Sequence, residues 1–229
     1  MAEVANDSVN PDISLLRAIN DIAGRVPHGV NRVAEILGEY GLLVLIGMVS
    51  CWCWWRVARR SPDAPEAVAG VLWALAAGGL ALLLNIPVRE LVQRPRPSVD
   101  YDGLEVLGSA GHHYAFVSDG AALAAAVAVG LFMVSRRLGA AALAIAFLQG
   151  LSDLYLGVHY PTDVFGGFAL GAATALLLAP LGLALLTALT RFVARTRLSF
   201  LVRRTGAGPV PSEGTPLPRQ RADDKGLAA

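Results

Sequence analysis

Three separate segments of the chain carry residue types that bind and transfer phosphate. Arginines are gathered in and just before the stretch "LVQRPRPSVD", at Arg89, Arg94 and Arg96. Ser118 stands where a helical pattern begins, and His159 precedes Asp163 by four residues. Guanidinium groups and the free N–H groups of a helix N-terminus suit phosphate oxygens. A histidine held by a carboxylate suits nucleophilic attack. We therefore expect a phosphate site in which His159 attacks phosphorus.

The composition indicates which elements must position these residues. Of the 229 residues, 55% are hydrophobic and only 16% are charged, and the mean hydropathy is +0.53. Charged residues are absent from several long windows, and a bilayer core needs roughly 20 apolar residues as helix. The sequence predicts an all-α polytopic membrane bundle and no nucleic-acid partner. About five spans are expected, at 38–57, 67–91, 115–135, 138–158 and 162–189.

The ends of the chain differ from this apolar middle. Residues 1–37 form a polar and amphipathic region, 38–200 the membrane domain, and 201–229 a tail rich in Pro, Gly and charge that we expect to be disordered. Residues 13–37 could form an interfacial helix broken near Pro27 or a further partial span. The polar start "MAEVANDS" does not suggest a signal peptide. Within the last span, Pro180 is expected to kink the helix, and Gly167 and Gly171 to allow close helix packing.

The distribution of arginines predicts the orientation. Basic residues follow the first, third and fifth spans, at Arg56, Arg59, Arg60, Arg136, Arg137, Arg191, Arg195 and Arg197. The positive-inside rule makes those ends and the C-terminal tail cytoplasmic. The loops 92–114 and 157–162 then lie on the outer face of a cell membrane. Arg89, Arg94 and Arg96 depart from the bias that orients the protein, which favours a functional role for them.

The motif spacing resembles the type 2 phosphatidic acid phosphatase family, which shares its site with vanadium haloperoxidases. The resemblance covers roughly residues 67–175, and its most specific elements are "RPRP" and "GVHYPTDVFGG". It implies a hydrolase of lipid phosphates that needs no metal or cofactor and forms a phosphohistidine on His159. Asp163 would orient His159, while Arg89, Arg96 and Ser118 would hold the phosphoryl oxygens.

The chain departs from the family motifs at chemically important positions. Arg89 replaces a lysine, Asp153 replaces a phosphate-binding arginine, and the second motif reads Val117-Ser118-Asp119-Gly120, with Gly120 at the position of the histidine that protonates the leaving group. Loss of a general acid typically costs about 10²–10⁴-fold in rate. Because a diphosphate loses a phosphate leaving group that needs less protonation, the sequence favours lipid diphosphates over phosphatidic acid. His113, or His112 beside it, could supply a substitute acid.

The charged residues of the site are compatible with either catalysis or binding without turnover. We expect Asp153 to pair with one of the arginines at 89, 94 or 96. Three arginines against Asp119, Asp153 and Asp163 leave the site near neutral, which favours a degenerate member that binds a lipid phosphate or a protein partner without turnover. The retained His159 and Asp163 favour an enzyme. A transporter is a third interpretation, without a detectable repeat to support it.

Overall fold

The computed structural model describes residues 10–101, 104, 106, 107 and 114–202. Within these residues every regular element is helical. The only extended pairing there is an isolated bridge between Pro95 and Tyr114. The predicted all-α class is confirmed. Of the predicted tail, Leu201 and Val202 are described; Leu201 ends a 3₁₀ turn, Arg197–Leu201, and Val202 is buried against the main core.

The N-terminal region folds as a separate amphipathic helix, α1, Pro11–Arg25. Asn10 caps it by accepting a hydrogen bond from the Asp12 N–H at 3.1 Å. The helix ends at Arg25 because Val26 is extended before Pro27, as expected for a residue that precedes proline. The predicted break near Pro27 is therefore confirmed.

The first span begins earlier than the sequence predicted. Helix α2, His28–Ile36, continues through a π-helical turn, Leu37–Gly41, into α3, Leu42–Arg56, and a 3₁₀ turn, Ala58–Arg60. Together they form one apolar segment of 33 residues, His28–Arg60. Residues 28–37 are therefore continuous with the helix of the first predicted span, and the candidate span begins at His28.

The second span carries the arginine-rich segment at its end. Helix α4, Ala64–Val92, has 29 residues and terminates at Gln93, whose φ of 48° is left-handed. The chain then runs extended through "RPR" and makes one helical turn, α5, Pro97–Asp100. Because proline lacks an N–H donor, this segment cannot extend the helix.

Helix α6, Asp119–Val134, lies at the centre of the bundle and packs against its neighbours on three sides. These are α4, α7 (Arg136–Tyr155) and α8 (Pro161–Leu177). Alanine and glycine dominate its buried face. A Cβ atom on Gly171 of α8 would lie only 2.2 Å from the Ala122 carbonyl oxygen of α6. The two backbones therefore touch, which is the intramolecular packing expected from the glycine spacing.

The last predicted span, 162–189, is two helices and not one. Helix α8 ends at Leu177, and α9, Ala179–Val193, leaves it at an angle of 55°. Pro180 stands in the first turn of α9, where it cannot donate to the carbonyl of residue 176 and its ring excludes a straight helix. The predicted kink at Pro180 is confirmed, and it divides the predicted span into two helices that pass the length and hydropathy test for a span only together.

The helices lie at the positions of the predicted spans, but helix α6 is shorter than a typical span. Three are long and apolar enough to cross a membrane, and the bent pair α8 and α9 would be a fourth. Helix α6 is apolar but has 16 residues, fewer than the roughly 20 that a bilayer core requires. Large apolar side chains are exposed along the outer faces, among them Leu83, Phe147, Phe165 and Leu181, as expected for contact with lipid.

The close packing of α6 on α8 can be tested with two glycine substitutions. Gly171→Ala should lower the free energy of unfolding by about 1–3 kcal/mol, because its methyl group would overlap the α6 backbone. Gly79→Ala is the matched control, since a Cβ atom at Gly79 of α4 meets nothing within 4 Å. Thermal unfolding in detergent should separate the two variants, and equal midpoints would contradict the packing described.

Candidate active site

The three chemically suggestive segments meet at one end of the bundle. Arg96 Nη1 donates to the Val158 carbonyl at 3.2 Å, which joins the first segment to the third. The Ser118 N–H donates to the Asp163 carbonyl at 3.2 Å, which joins the second to the third. The predicted site residues therefore surround the ends of four helices, α4, α6, α7 and α8.

His159 lies in the short loop between α7 and α8 with one ring nitrogen fixed. Its Nδ1 is 2.9 Å from the Ala115 carbonyl oxygen. Because a carbonyl only accepts hydrogen bonds, Nδ1 must carry the hydrogen, and Nε2 then keeps its lone pair in the neutral ring. This is the tautomer that a nucleophilic histidine requires.

The surroundings of His159 keep the imidazole neutral. Burial lowers its pKa to about 4, and the positive charges of Arg96 and Arg89 act in the same direction, against the Ala115 hydrogen bond and the Asp119 carboxylate. The ordinary histidine pKa is about 6.5. His159 is therefore unprotonated at neutral pH.

Two guanidinium groups share this end of the bundle. Arg96 is 8% exposed, and burial together with the charge of Arg89 lowers its pKa, partly offset by the carboxylates of Asp119, Asp153 and Asp163. Arg89 pairs with Asp119 at 2.6 Å, and its Nε is buried without a hydrogen-bond partner among the described residues. Arg96 is buried and Arg89 is partly buried, and two like charges that interact in this way form a site that an anion would stabilise.

Ser118 caps α6 and contacts Asp153. Its Oγ accepts from the Ala121 N–H at 3.1 Å and lies 2.5 Å from Asp153 Oδ2. Gln149 donates from Nε2 to the other carboxylate oxygen, Oδ1, at 3.1 Å. The expected pairing of Asp153 with an arginine is replaced by these two hydrogen bonds, while Arg96 interacts with Asp153 only through its charge.

Asp163 has different partners from those expected. Its Oδ1 accepts from Arg94 at 2.8 Å and its Oδ2 from the Tyr160 N–H at 3.1 Å, so neither oxygen contacts His159. Arg94 also donates to Asp12 and Thr162, at 2.7 and 2.6 Å. Arg94 and Asp163 thus fix the loop that carries His159, and the Ala115 carbonyl takes the orienting contact that the sequence assigned to Asp163.

The side chain of Gln149 fills the space beside Gly120, the position where the sequence analysis expected the family histidine to be absent. A Cβ atom on Gly120 would lie 3.0 Å from Gln149 Nε2. The proposed substitute acids, His112 and His113, lie outside the described residues. No group of three or more His, Cys, Asp and Glu side chains suited to a metal ion occurs in the part of the chain that the structure describes.

Several residues of the site escaped the sequence analysis. Asn85 is fully buried and donates to the Val117 carbonyl and to Asp119, at 2.9 and 2.7 Å. Gln149 and Asp12 were also missed. Asn85 and Gln149 had a detectable signal, because each is a lone amide in an otherwise apolar span. Asp12 had none, because it belongs to a helix far from the motifs in sequence.

Comparison with known proteins identifies the family of the chain. The model of the PAP2 superfamily matches residues 68–184, a range that contains every predicted site residue. The chain belongs to the PAP2 superfamily. Together with helices that are long and apolar enough to cross a bilayer, this membership supports a membrane protein and a lipid phosphatase function at the level of the family.

Two curated proteins and one crystal structure are similar to this chain at low sequence identity. The chain is 28% identical over 166 residues to the bacitracin transport permease protein BcrC of Bacillus licheniformis, covering 72% of this chain and 77% of BcrC. It is also 28% identical over 167 residues to YbjG of Escherichia coli (strain K12), which is provisionally named an undecaprenyl-diphosphatase, with coverage of 71% and 78%. The crystal structure of LpxE from Aquifex aeolicus shares the fold, with a TM-score of 0.54 at 23% identity over 75% of this chain and 96% of that one.

The protonation state of His159 can be measured directly. Its lowered pKa means that the imidazole should stay neutral, with the hydrogen on Nδ1, when the pH falls from 7 to 5.5. Nitrogen NMR of histidine-labelled protein in detergent reports both properties, and His159→Gln identifies the signal. A fully cationic ring at pH 5.5 would contradict the environment described for this residue.

Proposed function

We propose that this PAP2 protein is a phosphatase of lipid phosphates or diphosphates, possessing a phosphohistidine intermediate on His159. The observation that carries the proposal is a neutral imidazole whose Nδ1 is fixed by Ala115, beside the guanidinium groups of Arg96 and Arg89. Such a pocket offers a lone pair to phosphorus and positive charge to the equatorial oxygens. Family membership supports the same chemistry.

The reaction has two displacements at phosphorus. In the first, the Nε2 lone pair of His159 forms an N–P bond while the bond from phosphorus to the leaving oxygen breaks, and the leaving group keeps that electron pair. In the second, water attacks the same phosphorus, the N–P bond breaks, and inorganic phosphate leaves as neutral His159 is restored. Arg96 and Arg89 stabilise the charge that develops in both steps.

Diphosphates of polyprenyl lipids are the substrate class that this site fits best. Gly120 supplies no acid to the leaving group, and its space is filled by the amide of Gln149. A lipid monophosphate leaves from a diphosphate with little help, whereas an alkoxide leaving from a monoester requires a proton. The name of the relative YbjG points to the same class.

The site faces the non-cytoplasmic side in this proposal. Arg56, Arg136 and Arg191 stand at the ends of α3, α7 and α9 that are remote from His159, and Arg191 pairs with Glu66 at the start of α4. The positive-inside rule assigns that arginine-rich end to the cytoplasm. The lipid chain would remain in the bilayer while its phosphate enters the opposite end of the bundle.

A second candidate function is binding without turnover. It is favoured by two contacts within the site. Asp119 forms an ion pair with Arg89, and Asp153 forms a hydrogen bond with Ser118. Substrate oxygens must displace or rearrange these contacts before they can bind. A protein that binds a lipid phosphate weakly and never turns it over would show the same pairs.

The two candidates can be separated with purified protein. Phosphate release is measured from a polyprenyl diphosphate, the corresponding monophosphate and phosphatidic acid. We expect the diphosphate to react fastest, by about 10²-fold or more if the missing acid limits the monoesters. His159→Ala should abolish release, and an acid-labile, alkali-stable phosphoprotein should form only in the presence of His159.

His28→Ala is the matched control, because His28 is exposed at the start of α2 and should leave activity unchanged. Activity retained by His159→Ala would reject the nucleophile. Equal turnover of diphosphate and monoester would reject the substrate preference. Binding of a lipid diphosphate without release of phosphate would support the second candidate.

A further inference from the structure

The hydroxyl of Ser118 has a single hydrogen, and Asp153 lies where that hydrogen must point. Ser118 is 0% exposed and Asp153 is 6% exposed. The hydroxyl oxygen already accepts from the Ala121 N–H, and its only other polar contact in the described structure is Asp153 Oδ2, at 2.5 Å. A hydroxyl donates one hydrogen bond, so an ionised Asp153 takes the only one that Ser118 can give.

Gln149 determines which carboxylate oxygen can carry a proton. Its Nε2 donates to the Gly38 carbonyl at 2.9 Å and to Asp153 Oδ1 at 3.1 Å. The Gly38 carbonyl only accepts, so the NH₂ side of the amide must face both groups, and both amide hydrogens are then used. The neighbour of Asp153 Oδ1 is therefore a donor, whereas Oδ2 faces a hydroxyl oxygen that can accept a hydrogen bond. A proton on Oδ2 has an acceptor in Ser118 Oγ, which makes Oδ2 the better-placed oxygen to carry it.

We propose that Asp153 is a positioning residue that controls the direction of the Ser118 hydroxyl. While Asp153 is ionised, Ser118 donates to it and presents no hydrogen to a bound anion. When Oδ2 is protonated, its hydrogen points to Ser118 Oγ, and the Ser118 O–H turns to a phosphoryl oxygen. This rests on the proposed function, because it assumes that the pocket beside Ser118 receives phosphate.

Anion binding should therefore be coupled to the uptake of a proton. The charged groups that interact with Asp153 are Arg96 and Asp119, which stands in the first turn of α6. A phosphoryl dianion between Arg96 and Ser118 adds negative charge and offsets the arginine, so it favours the protonated form. The proton taken up at Oδ2 gives the anion one additional hydrogen-bond donor.

Asp153→Asn imitates the protonated form and provides the test. The asparagine Oδ1 can still accept from Gln149, and its Nδ2 can donate to Ser118 Oγ, which releases the Ser118 hydrogen permanently. Orthovanadate, a phosphate analogue, is titrated calorimetrically into the wild type, Asp153→Asn, Ser118→Ala and the double variant, all full length in detergent. Asp153→Asn should bind vanadate at least about tenfold more tightly, the value of one charge-assisted hydrogen bond.

The Ser118→Ala background separates hydrogen bonding from charge. Removing the Asp153 charge alone would strengthen vanadate binding equally in both backgrounds, whereas release of the hydroxyl requires Ser118. We expect the gain in the Ser118→Ala background to be smaller by about tenfold. Equal gains would overturn the inference. So would a gain of less than about twofold in the wild-type background, which is within the error of such comparisons.

Proton uptake gives a second readout that does not depend on the folding of Asp153→Asn. Titrations in buffers of different ionisation enthalpy measure the protons bound with vanadate. The wild type should take up about one proton more than either Asp153→Asn or Ser118→Ala, by linkage at the Asp153 carboxylate. Equal uptake by the wild type and Ser118→Ala would overturn the inference. If the wild type binds vanadate without taking up this proton, the inference about Asp153 fails and the proposed function stands. If neither the wild type nor any variant binds vanadate, both the inference and the proposed function are overturned.

Discussion

The close contact between the backbones of α6 and α8 is the constraint on which the site depends. Gly167 faces the Ser118 carbonyl and Gly171 faces the Ala122 carbonyl, with no room for a side chain at either glycine. The Ser118 N–H then reaches the Asp163 carbonyl at 3.2 Å. Two motifs that are about 40 residues apart in sequence are therefore held by main-chain contacts, which are stiffer than contacts between long side chains. The loop that carries His159 and the start of α6 cannot move apart without unpacking the bundle.

The unusual residues of this chain are compensated locally. Arg89 has Asp119 as its partner, and Asn85 bonds the same carboxylate. Asp153 is satisfied by Ser118 and Gln149, and Gln149 also fills the space beside Gly120. Buried charges are expensive when unpaired, and in the described structure Arg89, Asp119 and Asp153 each have a polar partner. These residues form two hydrogen-bonded groups, one around Asp119 and one around Asp153.

The sequence predicted the site better than it predicted the contacts within it. The charge-free windows predicted the spans, and the distribution of basic residues predicted that the arginines, Ser118 and His159 lie at the same end of the bundle. They could not show that the Ala115 carbonyl holds His159, because every residue has a carbonyl and the choice depends on tertiary structure. Asp163 lies at the spacing expected of an orienting carboxylate, yet Arg94 and Tyr160 occupy it. Pro180 predicted a kink within the charge-free window of α8 and α9, but the sequence did not show that the bend would reach 55° and divide the window into two helices.

The contacts of Asp119 with Arg89 and of Asp153 with Ser118 also affect how an anion could bind at this site. A lipid diphosphate brings several negative charges to a pocket in which Asp119 already neutralises Arg89 and Asp153 withholds the Ser118 hydrogen. Binding of such a lipid therefore requires that the contacts of Asp119 with Arg89 and of Asp153 with Ser118 be replaced by contacts with the ligand, which lowers the net binding free energy. The exchange favours a ligand with more anionic oxygens, because each released donor gains a charged acceptor in return. It also favours easy departure of the product, since inorganic phosphate competes with internal carboxylates for the same donors. In the proposed phosphatase, contacts of this kind would select by the charge of the head group, and the absence of an acid at position 120 would select in the same direction by the leaving group.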